Sequence, residues 1–200
     1  MSFGGLANPM RHGPKTKQTI LDEALRLFVE KGFTETTTRD IAQACAISEG
    51  AIYRHFTSKD EIGWELFNAS YAVMAERLQG LIDAAPDFAA ALKAIIADLC
   101  KLFDDEPFRF RYLLLAQHNF LHRVTAKMKS PIKVLRGLVE RGIAEGRVGV
   151  KDPALATAFA QGPLLFTAQS IVYRAVEPPL SGYVEQIQLA TLRSLAYKSL

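Results

Sequence analysis

Cysteine is scarce: Cys45 and Cys100 are the only two thiols in 200 residues. Two cysteines do not build a disulfide framework, and their spacing matches no metal knuckle, so a reduced cytoplasm fits. The N-terminal MSFGGLANPMRHGPKTKQ lacks the apolar run of a signal peptide. Strand signals are nearly absent. No Gly-rich phosphate loop, HExxH pair or nucleophile–base–acid set occurs, so neither an enzyme nor a bound cofactor is expected. Excess charge is missing too. The net charge is +3, and residues 1–66 hold 8 Lys/Arg against 9 Asp/Glu. A nucleic-acid surface would have to come from placement rather than bulk charge. Between Pro153 and Tyr173 no charged residue occurs at all, a stretch about as long as a bilayer is thick. Thr157, Gln161, Gly162, Pro163, Thr167, Gln169 and Ser170 interrupt it. A helix buried on most faces, in a core or subunit interface, is expected there and no membrane span.

What is present is one helical segment after another, with no internal repeat. Residues 17–31 place Ile20, Ala24, Leu27 and Phe28 on one face and end at Gly32, a helix with a C-terminal glycine. Further helices are expected over 38–45, 49–56, 59–82, 87–103, 107–122, 131–145, 153–176 and 183–198, with Pro163 kinking or splitting the 153–176 helix. The fold class is all-α. Residues 1–16 read as a flexible basic arm carrying Arg11, His12 and Lys15, 17–63 as a three-helix domain, and 64–200 as a larger helical domain.

The stretch ISEGAIYRHFTSKDEI, residues 47–62, carries two helix starts. Ser48 follows Ile47, and Ile52 comes four residues after the serine, the spacing of a hydrophobic staple. Ser58-Lys59-Asp60-Glu61 reads as a capping box, with Glu61 reaching back to the cap amide. The first of these helices is too short to stand alone, and Gly50 weakens it by roughly 1 kcal/mol relative to Ala. Thr37 is the expected cap of the helix before it, with Asp40 at the third position. Two short helices joined by about four residues, the second exposing polar groups, form a helix-turn-helix. Ile41, Ala42, Ile47, Ile52 and Phe56 would pack inward. Glu49, Gly50, Ala51, Tyr53, Arg54 and His55 would face outward, small enough at 50 and 51 for close approach to a major groove. A small helical bundle with no nucleic-acid role is the competing reading of this pattern.

The run Thr36-Thr37-Thr38-Arg39-Asp40-Ile41-Ala42, then Ile47-Ser48-Glu49-Gly50-Ala51-Ile52-Tyr53-Arg54-His55-Phe56 and Ser58-Lys59-Asp60-Glu61, resembles the signature of TetR-family transcriptional regulators. The likeness covers roughly residues 17–65. It implies a homodimer bound to a double-stranded DNA operator. Thr37, Tyr53, His55 and Lys59 would meet the phosphate backbone, near the cap Ser48. Base reading would fall to Glu49, Gly50, Ala51 and Arg54, with Arg39 reaching toward the groove. One departure stands out: the family usually has Gly where Ala46 stands. Gly suits a positive φ that Ala tolerates poorly, so an altered turn is expected.

Residues 153–176 and 183–198 are the expected dimer surface, since an uncharged, Ala-rich face that large is a liability on a monomer. The resemblance points to the same two helices. The middle helices are expected to hold a small-molecule effector, largely apolar or aromatic, among Phe103, Tyr112, His118, Phe166 and Gln169. His118 and His122 share a helix face, but no acid or thiol stands near and Asn119 follows His118, so a metal is not expected. Two rivals remain: a regulator that senses oxidation through Cys45 or Cys100, and an enzyme in the helical second half.

Overall fold

The structure, a computed structural model, describes residues 13–198, excepting the side chains at positions 13, 14, 115, 117 and 118. All regular structure among them is helical. The chain divides into two compact units, one ending at Leu66 and the other beginning at Phe67.

In the first unit, α1 (Gly13–Glu30) turns Ile20, Ala24 and Phe28 inward, all at most 3% exposed. The i, i+4 spacing of these three puts them on one face. The helix begins four residues before Lys17, so the flexible arm expected over 1–16 is corrected at Gly13–Thr16. Pro14 suits a first helical turn, where an amide N–H has no partner to lose. Arg11 and His12 lie outside the described residues. Gly32 takes φ +95°, and Phe33 packs its ring on Phe28 with centroids 4.8 Å apart. α2 (Thr38–Ala44) is capped by Thr37 and Asp40 acting reciprocally: the Thr37 hydroxyl accepts from the Asp40 amide at 3.1 Å, and the Thr37 amide donates to the Asp40 carboxylate at 2.8 Å. α3 (Glu49–Tyr53) is only five residues long, and Arg54 and His55 continue it as a turn.

Ala46 between them sits at φ +53°. Its amide donates to Gln43 O at 3.1 Å and the Ile47 amide to Ala42 O at 3.0 Å, the paired bonds of a Schellman cap. The turn therefore keeps the left-handed geometry for which Gly is the natural choice, and Ala46 bears a strain of about 1 kcal/mol. The expected alteration of the turn is replaced by strain within an unaltered one. The same cap closes three later helices, at Gly146, Arg174 and Ala196, all at positive φ.

α4 (Lys59–Ala84) starts in the first unit and continues into the second. Its start differs from the expected capping box by one residue. The Ser58 hydroxyl accepts from the Glu61 amide at 3.1 Å, but the Glu61 carboxylate reaches the amide and hydroxyl of Thr57.

The second unit adds α5 (Phe88–Asp105), capped by Asp87, then α6 (Pro107–Phe120) with a 3-10 turn at Leu121–Arg123, and α7 (Pro131–Ala144). α8 (Pro153–Val172), a 3-10 turn at Leu180–Tyr183 and α9 (Val184–Ser194) complete it. Pro163 does not split α8. A proline has no N–H for the carbonyl four residues back, and the Ser194 hydroxyl of α9 donates to that Phe159 carbonyl at 3.2 Å. Asp104 accepts from the Leu180 and Ser181 amides at 2.9 Å each, fixing the second 3-10 turn. Phe67 stacks on Tyr71 at 4.7 Å and meets Phe120 at 5.7 Å.

α8 is long and apolar enough to cross a membrane by length and composition alone, a test that a core helix also passes. It packs on α7 and α9, and buries Ala156, Ala160, Leu164, Ala168 and Ile171. Its other side carries Leu155, Phe159, Gly162, Phe166, Gln169 and Tyr173, all exposed. The steps between them are 4, 3, 4, 3 and 4, the spacing of a helix-pairing seam.

Candidate nucleic-acid interface and ligand cavity

In the first unit, α3 is pinned by Ala51 (8% exposed), Ile52 (0%) and, just beyond it, Phe56 (2%). Ala51 was expected to face outward. With Ile52 it sits instead on the inner side, because a five-residue helix can bury only one stripe. Glu49, Gly50, Tyr53 and Arg54 share the outer side, and His55 beyond them is half-buried. The Ser48 hydroxyl caps the helix, accepting from the Ala51 amide at 3.2 Å. A methyl added at Gly50 would meet nothing nearer than the Ser48 hydroxyl at 4.0 Å, so packing within the unit does not require glycine there.

The outer side chains are held from α2. Thr38 donates to the Glu49 carboxylate at 2.8 Å, and the Thr38 and Tyr53 hydroxyls are 3.3 Å apart. Thr38 is the residue sequence reasoning missed. It lay inside the quoted motif, but nothing in its spacing shows a bond eleven residues onward. Lys59 is also tied inward. Its ammonium donates to Phe33 O at 2.6 Å and Thr34 O at 3.1 Å, and lies 4.8 Å from the centre of the Phe33 ring. The free phosphate-facing cation expected at 59 is thus an internal clamp on the turn after α1.

Charge pairing concentrates what remains. Lys17 pairs with Glu65 at 2.8 Å, Arg26 with Glu23 and Glu30, and Lys31 with Asp40 at 2.7 Å. The Lys31 bond, with the Thr37 amide and hydroxyl, holds the Asp40 carboxyl down at about 2. Among the described residues, Arg39 and Arg54 are exposed and make no ion pair. Arg54 thus stands unpaired on the exposed side of α3, and Arg39 unpaired on α2.

The second unit holds an apolar cavity of about 100 Å³, within about 770 Å³ of unfilled space that includes its mouth. α4 to α8 all contribute to its wall, among them Tyr71, Leu92, Phe110, Leu135, Gln161 and Leu164. Of the expected effector residues, Phe103, Tyr112, Phe166 and Gln169 lie elsewhere. Phe103 is buried edge-on against Phe110 at 5.4 Å. Tyr112 is buried outside the wall, and burial pushes its phenol well above the ordinary range. Phe166 is 73% exposed on the outer seam of α8, with Gln169 beside it donating to the Tyr173 hydroxyl at 3.3 Å. Aromatic content cannot tell an inward face from an outward one when a helix is uncharged all round, and that is why both were misplaced. The His118 side chain lies outside those described, and His122 is exposed in the 3-10 turn. Tyr71 and Gln161 are the wall's polar residues that sequence reasoning missed; no local pattern marks either.

Neither thiol is activated. Burial, then Glu23, pushes the Cys45 thiol up. Cys100 is fully buried and, through burial and then Asp104, pushed up to about 11. A redox sensor needs the opposite shift.

The model of bacterial regulatory proteins of the tetR family matches residues 20–63, the three helices that build this interface and the start of α4. The chain belongs to the TetR family. It is 40% identical over 62 residues to the HTH-type transcriptional regulator AcrR of Shigella flexneri, covering 31% of this chain and 29% of that one. It is 32% identical over 143 residues to the HTH-type transcriptional repressor KstR2 of Mycobacterium tuberculosis, covering 64% and 66%. The chain thus spans about a third of one of these curated relatives and about two thirds of the other. A solved structure of the transcriptional regulator FadR from Bacillus subtilis in complex with stearoyl-CoA superposes with TM-score 0.72 at 20% identity, over 88% of this chain and 98% of that one. At that identity the likeness speaks for the fold alone.

Proposed function

We propose that this TetR-family chain is a ligand-responsive transcriptional regulator, a repressor in its ligand-free form, acting in the cytoplasm on double-stranded DNA. The observation that carries the reading is the exposed side of α3. It brings Glu49, Gly50, Tyr53 and Arg54 together on a helix pinned from behind, and among the described residues Arg54 there and Arg39 on α2 are exposed without an ion pair. Arg54 reads a base edge, Glu49 accepts from a base amino group while Thr38 holds it, and Gly50 leaves room for the groove. Thr37, Ser48, Tyr53 and His55 meet the backbone, and Arg39 approaches the groove from α2. Lys59 acts indirectly, by holding the turn after α1.

One such reader covers half an operator. A homodimer pairing through the outer seam of α8 and the exposed Leu189 of α9 supplies the second half-site, about 34–36 Å away on a palindrome. The apolar cavity is the effector site, for a small, largely apolar ligand. The effector releases DNA only through its difference in affinity between the DNA-competent state and the other. α4 is the covalent link through which that difference is felt.

A gel shift of the full chain on DNA from around its own gene tests this. The wild type should hold one fragment against excess scrambled competitor. Binding of equal strength on every fragment would defeat the reading.

A further inference from the structure

We propose that Tyr71 is the polar contact of the cavity, and that the cavity's ligand is an uncharged, mostly apolar molecule carrying one hydrogen-bonding oxygen. The inference rests on the cavity being the effector site.

Tyr71 is 6% exposed, and its hydroxyl is buried with no hydrogen-bond partner. The ring cannot swing the hydroxyl out to solvent without giving up its stack on Phe67, which in turn meets Phe120. Ser130, itself 4% exposed, lies near enough to hold back part of the rise that burial gives the phenol, yet the two hydroxyls do not meet bonding geometry. A buried hydroxyl in native proteins is normally paired, and an orphan calls for an explanation. Here the orphan stands on the wall of the apolar cavity, which gives the missing partner a place to arrive.

The rest of the wall says what the ligand is not. Among the described residues its lining carries no charged side chain, and Gln161, the other polar residue among them, turns its amide N–H to Thr157 O at 3.1 Å. A carboxylate or phosphate entering there would lose its hydration without a counter-charge. One neutral oxygen suits one orphan hydroxyl. Size adds a second limit. A cavity of roughly 150 Å³ in another protein accepts benzene, and this one, at about 100 Å³, is smaller. Even a single-ring ligand must press its walls outward, which is how a bound molecule can favour a different arrangement of α4 to α8.

The test uses two isosteric probes, p-cresol and p-xylene, and 4-methylbenzoate as the charged control. Each is titrated calorimetrically into the full-length protein and its Tyr71→Phe variant. Forming the missing bond should favour p-cresol over p-xylene about tenfold in the wild type. Tyr71→Phe should erase that preference while binding p-xylene as before, and should melt no lower than the wild type, since it keeps the ring and removes the orphan. 4-Methylbenzoate should not bind. Equal binding of the neutral pair to the wild type, a preference that survives in Tyr71→Phe, tighter binding of 4-methylbenzoate, or no binding of any probe would each overturn the proposal. A gel shift on the same preparation separates the two readings. Sequence-selective DNA binding alongside any of those results rejects the ligand class alone, whereas its loss rejects the regulator.

Discussion

The two units differ in how completely their buried polar groups are met. In the first, hydroxyls and carboxylates are spoken for locally: Thr37 with Asp40, Ser48 with the Ala51 amide, Thr38 with Glu49, and Lys59 with two carbonyls. In the second, the Tyr71 hydroxyl, the Arg111 Nε and the Thr191 hydroxyl are buried with no partner. A void stands beside one of them, and an apolar seam lies open on α8. Bonds made within the unit fix a small surface, which suits the proposed DNA reader. Slack and unmet bonding suit a part that must change when something binds.

Substitutions can break this contrast or sharpen it. Phe166→Glu should have the largest effect. It sets a charge in the exposed seam of α8 without touching the core, so helix content should stay while sedimentation shows monomers. Operator affinity should then fall by roughly 100-fold or more, because two half-sites no longer act together. Gly142→Ala comes next. An added methyl would lie 2.7 Å from the Phe88 ring and 2.9 Å from Val148, overpacking that should cost about 1–3 kcal/mol in chemical denaturation while leaving the bonds of the first unit unchanged.

Smaller changes probe the reader itself. Ala46→Gly relieves the left-handed strain and should stabilise by about 0.5–1 kcal/mol after the greater freedom of the unfolded glycine is counted. Gly50→Ala should also stabilise, by up to ~1 kcal/mol, yet weaken operator binding; melting curves and gel shifts together separate these effects. Asp40 should give the smallest change. Its folded pKa is depressed, so the stability it lends is full above the unfolded value of about 3.9 and is lost as pH falls toward 2. Asp40→Asn should flatten that acid limb, measured as the denaturation midpoint against pH.

Much of the first unit was legible because its determinants are short-range. Caps, staples and inward stripes repeat within a turn or two, so Thr37, Ser48, Ile52 and Phe56 could be assigned from spacing. Ala51 could not: on a five-residue helix a shift of one position changes the face. The Lys59 clamp could not either, since its acceptors lie some 25 residues earlier in the chain. The second unit showed its helices but not its cavity. α8 is uncharged on every side, so its sequence does not say that Leu164 turns inward and Phe166 outward. The cavity wall is gathered from five helices, and Tyr71 is marked only by the absence of a bond.

The account turns on the exposed side of α3, and Arg54→Ala tests it most directly. Anisotropy titrations on operator and scrambled duplexes at two salt concentrations should show the variant losing about 1–3 kcal/mol of preference for the operator while keeping most of its binding to scrambled DNA. If Arg54→Ala discriminates as well as the wild type, α3 is not the reader.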